Sequence, residues 1–249
     1  MLSIITACFN SEKTINRCFS SVRSLPFSDI EHIIIDGNSS DGTVDLIKDY
    51  SISNSTSYKI SWISEADFGI FDAYNKGVNL ASGKYVIFLN SDDEILKEDF
   101  ELLLNRIKQN PNIDVWFGSI NYVNLGGEVL RLDSKFSLQS MLLKGMCFQH
   151  PSMVFKKKSI ENNKFNPLFK VIGDYDHVLR LMLSNLLLFK CHNCTTIRMY
   201  AGGVSDGNFK QRLVEGYKSH RALFNPITSS LFLLSRLGYM ILSKLKNIC

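Results

Sequence analysis

At 249 residues, 45% hydrophobic and 21% charged, the chain has the composition of an ordinary soluble globular protein and is long enough to bury one α/β core. A net charge of +4 is too mild to argue for nucleic acid as a partner. No apolar run reaches the roughly 20 residues that span a bilayer, and there is no internal repeat.

In chain order, residues 2–8, 32–35, 59–63 and 85–89 read as buried strands, rich in Ile, Val and Phe. Helical patterns fall at residues 12–25, 43–49, 70–81 and 98–108. This alternation predicts βαβ units in a mostly parallel sheet with helices on both faces. Each strand runs into polar residues: Asn10, then Asp36-Gly37, then Glu65, then Asn90-Ser91-Asp92-Asp93. In a parallel sheet these positions share the edge outside the carboxyl ends, where ligands bind. Polar caps alone explain Ser11, Ser40 and Thr43. They do not explain adjacent carboxylates at Asp92 and Asp93, which repel each other unless a cation or ligand intervenes.

That pattern suits a pyrophosphate held through Mn²⁺ or Mg²⁺, which take carboxylate and phosphate oxygens. Asp92 is the first choice for the metal, and Asp93 is a second ligand or the holder of a metal-bound water. Asp36, before a Gly-flanked turn, has the acceptor that an N–H of a nucleobase needs. Asp72, Asn75 and Lys76 fall at i, i+3 and i+4 on one helical face, so Lys76 either meets a phosphate or balances Asp72.

Residues 153–155 form another strand-like run after Gln149-His150-Pro151-Ser152, and His150 is a candidate for the acceptor side. Beyond it, Tyr175, Val178, Leu179 and Met182 make the buried stripe of a helix. Asp176 has Arg180 at i+4, a structural ion pair. Asp174 has no such partner and is the candidate general base; Tyr175 beside it is a second acceptor-side candidate. Cys191-x-x-Cys194 with Cys147 and His150 could make a zinc site, but the spacing is unusual and Cys191 ends an apolar strand-like run, so free thiols are expected. The absence of a signal-type segment points to a cytoplasmic setting.

From Pro226 the chain turns apolar, with Leu231, Leu234, Leu237, Ile241, Leu242 and Leu245 on one arc and Arg236, Lys244 and Lys246 flanking it. This predicts an amphipathic helix, at an anionic membrane surface or packed on the domain. The expected organisation is therefore one domain over residues 1–225, with a nucleotide-sugar and metal half (1–95) and an acceptor half (96–225), followed by a helical tail at 226–249.

Together, the segment Ser3-Ile4-Ile5-Thr6-Ala7-Cys8-Phe9-Asn10, the turn from Asp36 to Thr43, the stretch from Ser64 to Gly77 and the run Tyr85 to Asp93 resemble the family-2 glycosyltransferases of GT-A fold, especially those of bacterial surface-polysaccharide assembly. The resemblance covers about residues 1–210 and includes Gly202-Gly203-Val204-Ser205. It implies a metal-dependent, inverting transfer from a nucleotide diphosphate-sugar to a glycan or lipid-linked oligosaccharide, at the inner face of the cytoplasmic membrane. It further implies Asp36 at the base, Asp92 at the metal, Asp174 as base catalyst, and Thr6, Phe9, Asn10, Ser39, Glu65, Asp67, Asp72, Asn75, Lys76 and Ser91 around the donor. Asn90 stands in place of the first acid of the usual DxD, and Gly173 where many relatives have Glu. Two other readings compete. A catalytically inactive nucleotide-sugar-binding subunit could dispense with Asp174. A sugar nucleotidyltransferase would carry a Gly-rich basic loop after the first strand, where Ser11-Glu12-Lys13 stands instead.

Overall fold

The computed structural model describes residues 1–25, 29–53, 58–135, 137–184, 186–203 and 209–246, without the side chains of residues 144, 209, 236 and 239–246. Among these residues lie the strands β1 (Leu2–Cys8), β2 (Ile30–Asp36), β3 (Lys59–Ser64), β4 (Tyr85–Phe88), β5 (Glu94–Ile95), β6 (Val115–Val123), β7 (Val129–Leu132), β8 (Val154–Lys156) and β9 (Phe189–Tyr200). They form one sheet in the order β3-β2-β1-β4-β8-β6-β9-β5, with β7 on β6. The first four are parallel, as their apolar runs predict. β8 then enters antiparallel between β4 and β6, and β9 runs parallel to β6. Both expected halves contribute to this single sheet.

The pleat sends alternate residues to opposite faces. Ile4, Ile34 and Ile87 pack under α1 (Ile15–Arg23), α2 (Thr43–Ser53) and α4 (Lys97–Gln109). Ile5, Ile33, Ile35 and Phe88 pack against α3 (Ile70–Leu80), α5 (Leu138–Lys144) and α7 (Gly173–Leu183). A short α6 (Lys157–Ile160) follows β8, and α8 (Phe209–Leu223) and α9 (Pro226–Lys246) close the chain. The helices therefore cover both faces.

The last long strand differs from expectation. The apolar run before Cys191 is not the strand, because Leu186 and Leu188 are exposed; β9 begins at Phe189 and continues to Tyr200. Its Cys194 and Thr195–Thr196 lie in the core, so burial there follows no apolar pattern a reader could see in the letters.

Candidate active site

The carboxyl ends of β1, β2 and β3 meet in register at Cys8, Asp36 and Ser64. Asp36 is fully buried. Its carboxylate accepts the Ser39 N–H at 3.0 Å, the Ser64 hydroxyl at 2.6 Å and the Ser39 hydroxyl. Ser39 Oγ in turn accepts the Asn10 N–H at 2.8 Å, and Asn10 Oδ1 accepts the Ser40 N–H at 2.9 Å. Asn10 makes this double contact at φ 49°, in the left-handed region where asparagine is tolerated. Next to it, Ser11 Oγ lies 2.8 Å from Ser91 Oγ. One polar chain thus joins the end of β2, through the end of β1, to the residue before Asp92.

Gly37 explains how the third strand end joins. A Cβ there would lie 2.8 Å from Asp67 Oδ2 and 3.4 Å from the Phe9 ring, so that space belongs to those two side chains. Phe9 (63% exposed) and Phe68 (74% exposed) are large aromatic surfaces left in solvent beside this rim. Asp67 also caps the start of α3 through the Gly69 N–H at 2.7 Å, and Asp72 takes the Phe68 N–H at 3.1 Å.

Beyond β4, the two adjacent carboxylates differ in kind. Asp92 is partly exposed, with its carbonyl held by the Arg17 guanidinium at 2.7 Å. Asp93 is only 1% exposed and accepts the Asn90 amide at 3.0 Å. Burial, then the charge of Asp92, hold the Asp93 carboxyl well above the usual carboxylate range. A cation at the partly exposed Asp92 would offset that repulsion.

Asp174 comes from a distant stretch of the chain. It sits in the first turn of α7, where burial pushes its carboxyl up to about 6. A Cβ at Gly173 would fall 2.5 Å from the Phe71 ring on α3, so a larger residue there would have to displace that ring. The convergence is recorded by Tyr74. Its buried hydroxyl donates to Asn90 Oδ1, and burial followed by the charges of Asp93, Asp174 and Asp92 holds that phenol well above its ordinary value. In the same place Gly173, next to Asp174, packs on Phe71, whose ring lies 6.1 Å from that of Tyr74, so the start of α7 lies against the helix that reaches Asn90.

The sequence profile of Glycosyl transferase family 2 matches residues 3–171, which span every strand end just described. The chain belongs to glycosyl transferase family 2. This transferase is 26% identical over 223 residues to a PGL/p-HBAD biosynthesis glycosyltransferase of Mycobacterium bovis, covering 86% of the chain and 84% of the relative. It is 29% identical over 177 residues to the GalNAc(5)-diNAcBac-PP-undecaprenol beta-1,3-glucosyltransferase of Campylobacter jejuni, covering 68% of the chain and 55% of that longer enzyme. Among solved structures, S. aureus TarS 1–349 in complex with UDP-GlcNAc has the same fold, with a TM-score of 0.70 at 19% identity over 95% of this chain and 71% of that one.

Several side chains of this transferase expected near the donor are engaged elsewhere. Thr6 is fully buried; its hydroxyl lies 2.9 Å from His32 Nε2, and His32 Nδ1 lies 3.0 Å from Tyr50 Oη. The pleat puts Thr6 on the sheet face covered by α1, where its hydroxyl lies 3.7 Å from Cys18 Sγ. Asn75 uses its amide in both directions on the backbone of Phe165, at 2.9 Å each way. Lys76 bonds Glu65 at 2.8 Å and the Ala66 carbonyl at 2.9 Å, and lies 3.6 Å from Asp72. It balances Asp72 and Glu65 rather than reaching free into the rim.

Of the acceptor-side candidates, His150 is buried among Tyr74, Phe88, Phe155 and Phe165, and burial pushes its imidazole down to about 4. Tyr175 is 4% exposed, its hydroxyl donating to the Met141 carbonyl at 3.2 Å and lying 2.7 Å from His220 Nε2. Both are interior. The Asp176–Arg180 pair forms at 2.9 Å. Val204 and Ser205 lie outside the described residues. Sequence reasoning missed Tyr74 and Arg17. Tyr74 stood inside a motif already singled out, whereas nothing local marks Arg17, which stacks on Tyr200 at 3.5 Å and reaches Asp92 only through the fold.

Proposed function

We propose that this transferase moves a sugar, with inversion, from a nucleotide diphosphate-sugar to a hydroxyl of a lipid-linked glycan in bacterial surface-polysaccharide assembly. The observation that carries this reading is the packing of the start of α7 on α3, with Gly173 against Phe71 and Phe71 beside Tyr74, whose hydroxyl donates to Asn90 in the turn that bears Asp92 and Asp93. A pyrophosphate-side carboxylate and a carboxylate raised toward neutrality stand within one small site. Asp36, Phe9 and Asp67 receive the nucleoside, and Asn10, Ser39 and Ser91 line the path toward Asp92. Asp92, supported by Asp93, would hold Mn²⁺ or Mg²⁺, which neutralises charge developing on the leaving diphosphate. Asp174 takes the proton of the acceptor hydroxyl as its oxygen bonds the anomeric carbon. The bond from that carbon to the phosphate oxygen breaks, and the nucleoside diphosphate leaves on the opposite side.

The named acceptor of the Campylobacter relative is undecaprenol-linked, which supports a lipid-linked acceptor. So does the end of the chain. Phe232 of α9 packs on His220 at 3.5 Å, while Ile227, Leu231 and Leu234 form an i, i+4, i+7 stripe that is 60% exposed or more. Lys210, Lys218 and Arg221 are exposed on the adjoining α8. An apolar stripe beside cations suits an anionic lipid surface, here the inner face of the cytoplasmic membrane. Among the described residues no helix is long and apolar enough to cross it. The side chains of Arg236, Ile241, Leu242, Lys244, Leu245 and Lys246, expected to share in this, lie outside the described residues.

A panel of UDP-, GDP- and dTDP-sugars with Mn²⁺ or Mg²⁺, read by release of the nucleoside diphosphate, tests the reaction. One pair should support turnover, and binding with no release from any would favour the inactive subunit. For the surface, the double variant Leu231→Gln/Leu234→Gln should fold normally, since both side chains are exposed. It should lose at least about fivefold in sedimentation with phosphatidylglycerol vesicles, given the ~25 cal/mol of each buried apolar Å². Equal sedimentation would leave α9 a packing helix.

A further inference from the structure

The segment leading into the catalytic helix is fastened by one buried carboxylate that none of the chemistry above uses. Glu215, on α8, is 5% exposed. Its Oε1 accepts the Lys170 N–H at 2.9 Å, and its Oε2 accepts the N–H groups of Val171 at 3.0 Å and Ile172 at 3.2 Å. Gln211, one helical turn earlier, donates to the same carboxylate at 2.8 Å. Ile172 is the residue that caps α7, two positions before Asp174.

The grip continues on the far side of Asp174. Ser219 donates to Asp176 Oδ1 at 2.7 Å, and His220 meets the Tyr175 hydroxyl at 2.7 Å. Residues 211, 215 and 219 are spaced by four, so one face of α8 holds the backbone before Asp174 and the side chains after it. The other side of the segment is closed by Phe71 against Gly173. Three backbone N–H groups converge on one carboxyl group, and each would otherwise be an unmet donor in the interior. A core needing only apolar burial would not require a carboxylate here, because burying one is costly unless it is fully bonded.

We propose that Glu215 is a positioning residue for the transfer reaction: by fixing the backbone from Lys170 to Ile172 it sets where the Asp174 carboxylate meets the acceptor hydroxyl. The inference rests on Asp174 being the base, and a misplacement of about 1 Å at such a group costs roughly 10²-fold in rate.

The test compares Glu215→Ala, Glu215→Gln and Asp174→Asn in the full chain. It measures kcat and KM with the active sugar nucleotide from the panel, nucleoside diphosphate binding, and Tm. Glu215→Ala should lose roughly 10- to 100-fold in kcat, with donor KM and nucleotide binding within about twofold of the parent. Glu215→Gln keeps one carbonyl oxygen for two of the N–H groups and should recover part of the lost kcat. A merely structural glutamate would lower Tm and leave kcat per folded molecule unchanged, and that result overturns the proposal. Should Glu215→Ala not fold, a parental kcat in Glu215→Gln overturns it and an intermediate kcat supports it. An active Asp174→Asn would sink the assignment of the base itself. An inactive Asp174→Asn beside a fully active Glu215→Ala would sink only the positioning role.

Discussion

Replacing Asp174 with asparagine is expected to lower kcat by roughly 10²–10⁴-fold, the usual contribution of a positioned base, while donor binding stays within about twofold. Asparagine keeps the size of the side chain and can still accept the Tyr175 N–H that Asp174 Oδ1 takes at 2.7 Å, so α7 should start as before. What it cannot do is take a proton. The same carboxyl sets the pH dependence. Burial raises it to about 6, so kcat/KM should fall tenfold per unit as pH drops below about 6 and level off above it. The sign for stability is opposite. A carboxyl whose folded value is raised favours the fold when protonated, and that benefit fades as pH rises through about 6. Asp174→Asn should therefore match or exceed the parent in Tm at pH 8, as expected where a site holds a group in an environment that disfavours its active form. A pH-rate profile and a melting curve at two pH values check both parts. Parental turnover in the variant would remove Asp174 from the chemistry.

Replacing Asp92 with alanine should act on the other half of the reaction. Metal-dependent binding of UDP or another nucleoside diphosphate should weaken by roughly 10²-fold or more, since the cation would lose its exposed carboxylate. Binding without metal should change little. The fold should persist, because Asp92 is partly exposed and the bond from the Arg17 guanidinium to its main-chain carbonyl does not depend on the side chain. Asp93 should also ionise more readily, having lost the neighbouring charge, although burial, the larger cause of its shift, remains. Titration calorimetry with and without Mn²⁺ measures the difference, and Mn²⁺ electron paramagnetic resonance reads the ion directly. Equal metal-dependent affinities in variant and parent would place the cation elsewhere.

Much of the donor-side frame was legible because it depends on local rules. A short apolar run followed by Asn, Asp or Glu identifies a buried strand and its exposed end, and four such ends in a parallel sheet must share an edge. Asn10 and Asp36 could be read that way, and Ser39, which only the resemblance implied, joins them. Thr6 could not. A residue within a strand points to one face or the other, and which face is buried depends on the helices that cover it. Asn75 lay on the expected face of α3, yet the loop at Phe165 took its amide. His150 and Tyr175 show the same limit: polar letters near a motif carry no sign of whether aromatic neighbours will close over them.

By itself, then, the sequence determined the parallel βαβ beginning of the chain, the Asp92–Asp93 carboxylate pair and the candidate base, because hydrophobic period and turn chemistry act within a few residues. The tertiary structure alone decided which of those groups face one another. It separated the partly exposed Asp92 from the buried Asp93, packed the start of α7 on Phe71 beside Tyr74, and gave Glu215 the N–H groups of a segment more than 40 residues away. Charge and solvent act through space, and no spacing along the chain records distances that only packing creates.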